Sequence, residues 1–131
     1  MIYLTPEQVL FIHSRLVAET SGSHGVRDLG LLESAVARPR ATFDGKELYP
    51  DLFTNTAALM DSLINNHPFL DGNKRTGITA AGLFLLINGW KLTVSQEDLE
   101  TITLQVAKDG MEVTALAGWL LKNTVRKIDL R

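Results

Sequence analysis

Asn73-Lys74-Arg75-Thr76-Gly77-Ile78-Thr79-Ala80-Ala81-Gly82-Leu83-Phe84-Leu85-Leu86-Ile87-Asn88-Gly89 is the stretch whose reading decides the fold. From Ile78 onward, Ala80, Ala81, Leu83, Phe84, Leu85, Leu86 and Ile87 are apolar on nearly all sides of a helix, which belongs in the centre of a domain. Asn88-Gly89 closes it, because glycine suits the left-handed position just past a helix end. The apolar run is broken by Thr79 and Gly82 and is too short to span a bilayer. A helix over about 73–88 is therefore expected to be the axis of the molecule.

Outward from this axis the punctuation is helical. Thr5-Pro6-Glu7-Gln8 combines a capping box with proline at the first helical position. Val9, Ile12 and Leu16 follow as an apolar stripe. Ser21-Gly22-Ser23-His24-Gly25 reads as a small loop. Asp28 reads as the cap of a short helix carrying Leu31, Leu32, Ala35 and Val36, stopped before Pro39. A third helix fits about Pro50 to Asn65, with Phe53, Ala57, Met60 and Ile64 along one face, and Pro68 disfavours a helical His67. After the central helix, Trp90–Val94 reads as a short extended piece. Ser95 starts a helix through Leu99, Ile102 and Val106, and Thr114 is expected to cap a last one with Leu116, Trp119 and Leu120. Val125–Arg131 is polar and basic, as an end that frays would be.

One segment departs from the pattern. Ala41-Thr42-Phe43 and Lys46–Tyr49 flank Asp44-Gly45, a dipeptide that favours the type I′ turn of a tight hairpin. Two readings stand here, a small β-hairpin or a surface loop. The expected architecture is all-α, a bundle around a buried central helix, with this hairpin as a possible flap.

Composition sets the bounds. The 131 residues fit one domain, 1–131, within the usual range of about 100–150. A hydrophobic content of 45% with 21% charge excludes wholesale disorder. The net charge of −2 gives no electrostatic case for nucleic acid, and no cysteine means neither disulfides nor a Cys-based zinc site. Met1–Gln8 lacks the basic and then apolar stretch of a signal peptide, so the expectation is a soluble, cytoplasmic protein that spans no membrane.

The chemistry lies just ahead of the central helix, in His67-Pro68-Phe69-Leu70-Asp71-Gly72-Asn73-Lys74-Arg75. A helix N-terminus presents unpaired N–H groups and a positive dipole end, ready for an anion. Gly72 lets the backbone approach a phosphate, and Asn73 can cap the helix or donate from its amide. Lys74 and Arg75 add charge, Arg75 with a bidentate fork. If a triphosphate binds, Asp71 is the hard-oxygen ligand for Mg2+. His67 is then the side chain of the type that takes a proton from a hydroxyl near neutral pH. The stretch lacks the glycine pattern of a Walker A loop. His67 and Asp71 stand four apart, but Pro68 argues against the helix a zinc pair needs. His13 reads as a structural or surface residue and His24 as solvated; Trp90 and Trp119 read as core. Lys122, Arg126, Lys127 and Arg131 suit a helix C-terminus.

These nine positions closely resemble the signature of the Fic/Doc superfamily, His-x-Phe-x-Asp/Glu-Gly-Asn-Gly/Lys-Arg. The resemblance extends through Arg27-Asp28-Leu29-Gly30-Leu31-Leu32-Glu33-Ser34-Ala35 and on to Asn88-Gly89. It is closest to the death-on-curing branch, the Doc toxins of toxin–antitoxin pairs. It implies an all-α core, ATP and Mg2+, with His67 as the base for a target hydroxyl and Asp71 as the metal ligand. Gly72, Asn73, Lys74 and Arg75 would then form the phosphate cradle, with Phe69 as a packed anchor.

Fic adenylyltransferases have a second glycine where this chain has Lys74 and a second arginine where it has Ile78. Doc proteins share the lysine, and the resemblance implies transfer of the terminal phosphoryl group of ATP to a threonine of elongation factor Tu, which stops translation. Transfer of AMP and a catalytically silent antitoxin-binding module are the alternatives. The resemblance also places a target-docking flap at Thr42, Phe43, Asp44, Gly45 and Lys46. It implies a small cognate antitoxin whose disordered segment folds as a helix into a groove. No glutamate of the chain is followed by Gly or Asn, so the self-inhibiting Ser/Thr-x-x-x-Glu-Gly/Asn helix of many Fic enzymes is absent.

Overall fold

Thr5 caps α1 (Pro6–Thr20) in a full capping box, its side chain accepting from the Gln8 N–H while the Gln8 side chain accepts from the Thr5 N–H. Asp28 caps α2 (Leu29–Ala37), which gives way to a 3-10 turn at Arg38–Arg40 that accommodates Pro39. The computed structural model describes residues 1–127. Next come β1 (Thr42–Phe43) and β2 (Lys46–Glu47), and then α3 (Leu52–Asn65) and α4 (Asn73–Ile87). β3 (Trp90–Leu92), α5 (Gln96–Lys108), α6 (Val113–Lys122) and β4 (Thr124–Arg126) complete the described chain. The architecture is mostly α-helical with a small hairpin, as expected, and has a second antiparallel ladder, β3–β4, that was not.

α3 and α4 form the spine. On one side they pack with α1 and α2 around Val9, Leu32, Val36, Leu59, Leu63, Phe69 and Phe84. On the other they pack with α5 and α6 around Met60, Ile64, Leu85, Ile102, Leu116 and Leu120. Gly77 sets how closely the two axes approach, since a Cβ there would lie 2.6 Å from Ile64 Cγ1. The hairpin reading of the 41–49 segment holds. Thr42 pairs with Glu47 and Phe43 with Lys46. Asp44 (φ +52) and Gly45 (φ +77) both take the positive φ of a type I′ turn.

Several expectations need correction. α3 starts at Leu52 rather than near Pro50, because Asp51 is its cap and accepts from the Thr54 N–H. α6 starts at Val113 with Glu112 in the cap position, so Thr114 lies inside the helix. The buried stripe of α1 is Val9–His13–Val17, with Ile12 and Leu16 only half-buried. α4 is not covered all round: Ile78, Gly82, Leu83 and Leu86 are half-exposed. Thr124–Arg126 does not fray but pairs with β3, Trp90 opposite Arg126 and Lys91 opposite Val125. Arg126 thus lies over the Trp90 ring rather than at a helix end. Ile128–Arg131, with the basic Arg131, lie outside the described residues.

Candidate functional site

The motif runs from the end of α3 into α4, and three sets of contacts shape it. Asn73, the first residue of α4, closes the loop on itself: its Oδ1 accepts from the Phe69 N–H and its Nδ2 donates to the Phe69 carbonyl, both at 3.0 Å. Asn73 therefore neither caps the helix nor holds its amide free for a ligand. The residue in the cap position is Gly72 at φ +78, where a Cβ would come within 3.3 Å of Val17 Cγ1. With no side chain capping it, the N-terminus of α4 keeps the open N–H groups that favour an anion.

The second set comes from α1. His13 is buried, stacks on the Phe69 ring at 3.8 Å with 6° between planes, and its Nε2 lies 2.7 Å from the Asp71 carbonyl oxygen. Phe69 is buried against this imidazole and the core. Sequence reasoning gave His13 a bland structural role and missed that it holds the motif.

The third set comes from the α1–α2 loop. The Ser23 N–H donates to Asp71 Oδ2 at 3.2 Å, and the Gly25 carbonyl accepts from the Leu70 N–H. Val26 pairs with Phe69 as an isolated bridge. Arg27 donates from Nε to the His67 carbonyl and from Nη2 to the Asn66 carbonyl. The exposed His24 has no part in this, as expected of a solvated loop residue.

His67 is exposed, at φ +50, and its ring makes no hydrogen bond among the described residues. The Asp71 carboxylate is exposed and also accepts from the Gly72 N–H at 2.9 Å. Lys74 and Arg75 are exposed and form no ion pair among the described residues. They line a cleft of about 320 Å³ with Ile78, Gln96, Leu99, Glu100, Thr103 and Leu104. Arg75 and Ile78 continue into an apolar groove of about 460 Å³ along α4, lined by Leu16, Leu83, Leu86, Leu92 and Leu99 among others. His67 and Asp71 line neither cavity.

The hairpin stands apart. Thr42, Phe43, Asp44, Gly45 and Lys46 are all exposed, and none hydrogen-bonds to the motif loop among the described residues. Its far end is fastened at Tyr49, whose hydroxyl accepts from Arg38 Nε and whose carbonyl accepts from Asn55 Nδ2. Arg38 also donates to Asp61 Oδ2 at 2.6 Å and to Ser62. Burial alone would lower the Arg38 pKa, but its bonds to Asp61 and Tyr49 outweigh that and raise it above the usual guanidinium value.

A nine-residue motif with an exposed histidine and carboxylate, leading into a helix N-terminus that no side chain caps, defines a class, and comparison with known proteins agrees. A sequence model of the Fic/DOC family matches residues 3–85, and the chain belongs to the Fic/Doc family, on its death-on-curing side. It is 42% identical over 120 residues to Toxin Doc of Mycolicibacterium smegmatis, covering 90% of each chain. It is 31% identical over 120 residues to Protein kinase doc of Escherichia phage P1, covering 92% of this chain and 94% of that one.

Proposed function

We propose that this protein is a Doc-like toxin that transfers the terminal phosphoryl group of ATP to a hydroxyl of a translation factor, elongation factor Tu by resemblance. The observation that carries this reading is the uncapped N-terminus of α4 at Gly72, set between Asp71 and Lys74-Arg75 and four residues past the end of the His67-Pro68 turn. Its kinship with a toxin and a protein kinase of the same family supports the chemical class.

ATP and Mg2+ suit the residues present. The backbone N–H groups opening α4, with Lys74 and Arg75, would hold phosphate oxygens, while Asn73 keeps the loop shaped for them. No group of three His, Cys, Asp or Glu side chains that could hold a metal occurs among the described residues. Asp71 would be a carboxylate ligand to Mg2+, with phosphate and water completing the shell, an arrangement this ion favours. The bound ion would neutralise charge building on the phosphate oxygens. His67 would accept the proton of the target hydroxyl as its oxygen bonds to the γ phosphorus and the bond from that phosphorus to the β–γ bridging oxygen breaks, releasing ADP; the solvent-facing ring leaves room for a protein target.

Two further surfaces complete the reading. The Thr42–Lys46 hairpin would dock the target as an added strand. The apolar groove along α4 would take a helix of the cognate antitoxin, its apolar side chains meeting Leu16, Ile78, Leu83 and Leu86. With no internal inhibitory glutamate motif, control would fall to that partner.

Incubating the protein and a cell extract with ATP labelled at either the α or the γ phosphorus tests the reading. Label arriving on protein from the γ position alone is expected. Transfer from the α position would replace phosphorylation by adenylylation, and no transfer from either would favour a silent binding module. Expressed alone, the protein should arrest growth, and co-expression of the neighbouring small open reading frame should relieve the arrest.

A further inference from the structure

His67 occupies a backbone conformation that its position disfavours. It sits at φ +50, in the left-handed region, and precedes a proline. Asn, Asp and His enter this region more readily than other side chains, but before a proline such a conformation persists where the surroundings over-determine the geometry. Such strain concentrates where it positions something.

The over-determination comes from one dipeptide. Arg27 Nε donates to the His67 carbonyl at 2.6 Å and Nη2 to the Asn66 carbonyl at 2.7 Å. The backbone N–H groups of Arg27 and Asp28 both donate to the Pro68 carbonyl, at 2.8 and 3.0 Å. Three consecutive carbonyls are thus gripped from one point. That point is itself fixed, because Asp28 caps α2, whose Leu32 and Val36 lie in the core. The His67 ring has no hydrogen-bond partner among the described residues, so its place is set through its backbone.

We infer that Arg27 is a positioning residue: its guanidinium holds residue 67 left-handed and so aims the imidazole at the target hydroxyl. The inference rests on the reading of His67 as the base. A guanidinium is suited to the task, since its rigid fork satisfies two neighbouring carbonyls at once, whereas a lysine ammonium offers a point charge on a flexible stem. The grip ends at Pro68. The start of α4 is held separately, by Asn73 on Phe69 and by His13 on Asp71. Loss of the Arg27 side chain should therefore spoil the aim of the base and leave the phosphate cradle in place.

The test uses the full chain, γ-labelled ATP and the extract band that the wild type labels. Arg27→Gln should lower the maximal rate by about tenfold to a hundredfold, the scale of a small misplacement at a reacting centre, with half-saturating ATP unchanged. Arg27→Lys should recover part of the rate. In a His67→Ala background, Arg27→Gln should cause no additional loss, which separates action through His67 from general damage. Scalar couplings at residue 67 should report positive φ in the wild type and not in Arg27→Gln. A wild-type rate in Arg27→Gln, an equal loss in both backgrounds, or a positive φ retained without Arg27 would each overturn the inference. Full activity of His67→Ala would instead remove the base reading, and the couplings alone would then decide whether Arg27 holds the turn.

Discussion

The signature loop and the hairpin are both short, exposed connections on one scaffold, yet they are built in opposite ways. Residues 67–73 are tied at Phe69, Asp71 and the carbonyls of 66–68 by side chains from α1, the α1–α2 loop and α4. The hairpin has its own two-residue ladder, a Leu48 N–H donating to the Ala41 carbonyl, and an anchor at Tyr49. A site for chemistry gains from geometry set before substrate arrives, because a transition state tolerates little misplacement. A surface for docking a protein gains from edges left unpaired, which a target can complete. On the proposed function the contrast would separate reacting from recognising, and substitutions in the two regions should fail differently.

The largest expected effect is at His67. His67→Ala should reduce phosphoryl transfer by at least the roughly 10²–10⁴-fold typical of losing a general base. Stability should change little, since the ring is exposed and unbonded among the described residues. His67→Asn is the sharper variant, because asparagine tolerates positive φ and keeps the turn while removing the base. Transfer at the wild-type rate by either protein would leave the loop's careful support without its proposed purpose.

His13 comes next, as the buried tie between α1 and the loop. His13→Ala removes a ring stacked on Phe69 and a hydrogen bond to Asp71, and should cost about 2–5 kcal/mol in urea unfolding. His13→Phe keeps the stack and loses only the bond, so about 1 kcal/mol is expected. Equal stability of His13→Ala and wild type would show that the loop is held from elsewhere. Gly72→Ala is smaller. Its φ of +78 costs an L-residue about 1–2 kcal/mol, and the new methyl meets Val17. ATP affinity, measured by calorimetry, should fall with it.

These residues also show what a sequence can reveal. Thr5, Asp28 and Ser95 were legible because a cap acts three residues away: each accepts from an N–H of its own first turn. Asp44-Gly45 was legible because two adjacent positive φ values admit few residue types. The motif was legible as a nine-residue string, and its neighbourhood was not. His13 reaches Asp71 across 58 positions and Arg27 reaches His67 across 40, and no local pattern marks either. β4 was hidden for the same reason, since a three-residue strand exists only through its distant partner β3. The half-open face of α4 escaped because apolar side chains read alike whether the domain or another chain covers them. Thr114 misled by identity: threonine favours a cap, but Glu112 takes the extended cap conformation with no side-chain bond.

The smallest effect on stability, and the one that tests the comparison from its other side, belongs to the hairpin. Proline introduced singly at Thr42, Phe43, Lys46 or Glu47 changes only exposed residues of a two-residue ladder, so the unfolding free energy should fall by about 1 kcal/mol or less. Tyr49 is left out of the scan, because its bonds to Arg38 and Asn55 make it part of the scaffold. ATP binding should be unaffected, since no hairpin residue hydrogen-bonds to the loop among those described. Labelling of the protein target should nevertheless fall, because each proline removes an N–H or bends an edge that an added strand would use. Phe43 sharpens the point: its ring is 74% exposed, an uncommon place for an aromatic unless something packs on it. Phe43→Ala should weaken labelling through the target concentration required rather than through the maximal rate. If every variant labels its target as the wild type does, the target docks elsewhere and the hairpin is only the connection between the 3-10 turn and α3.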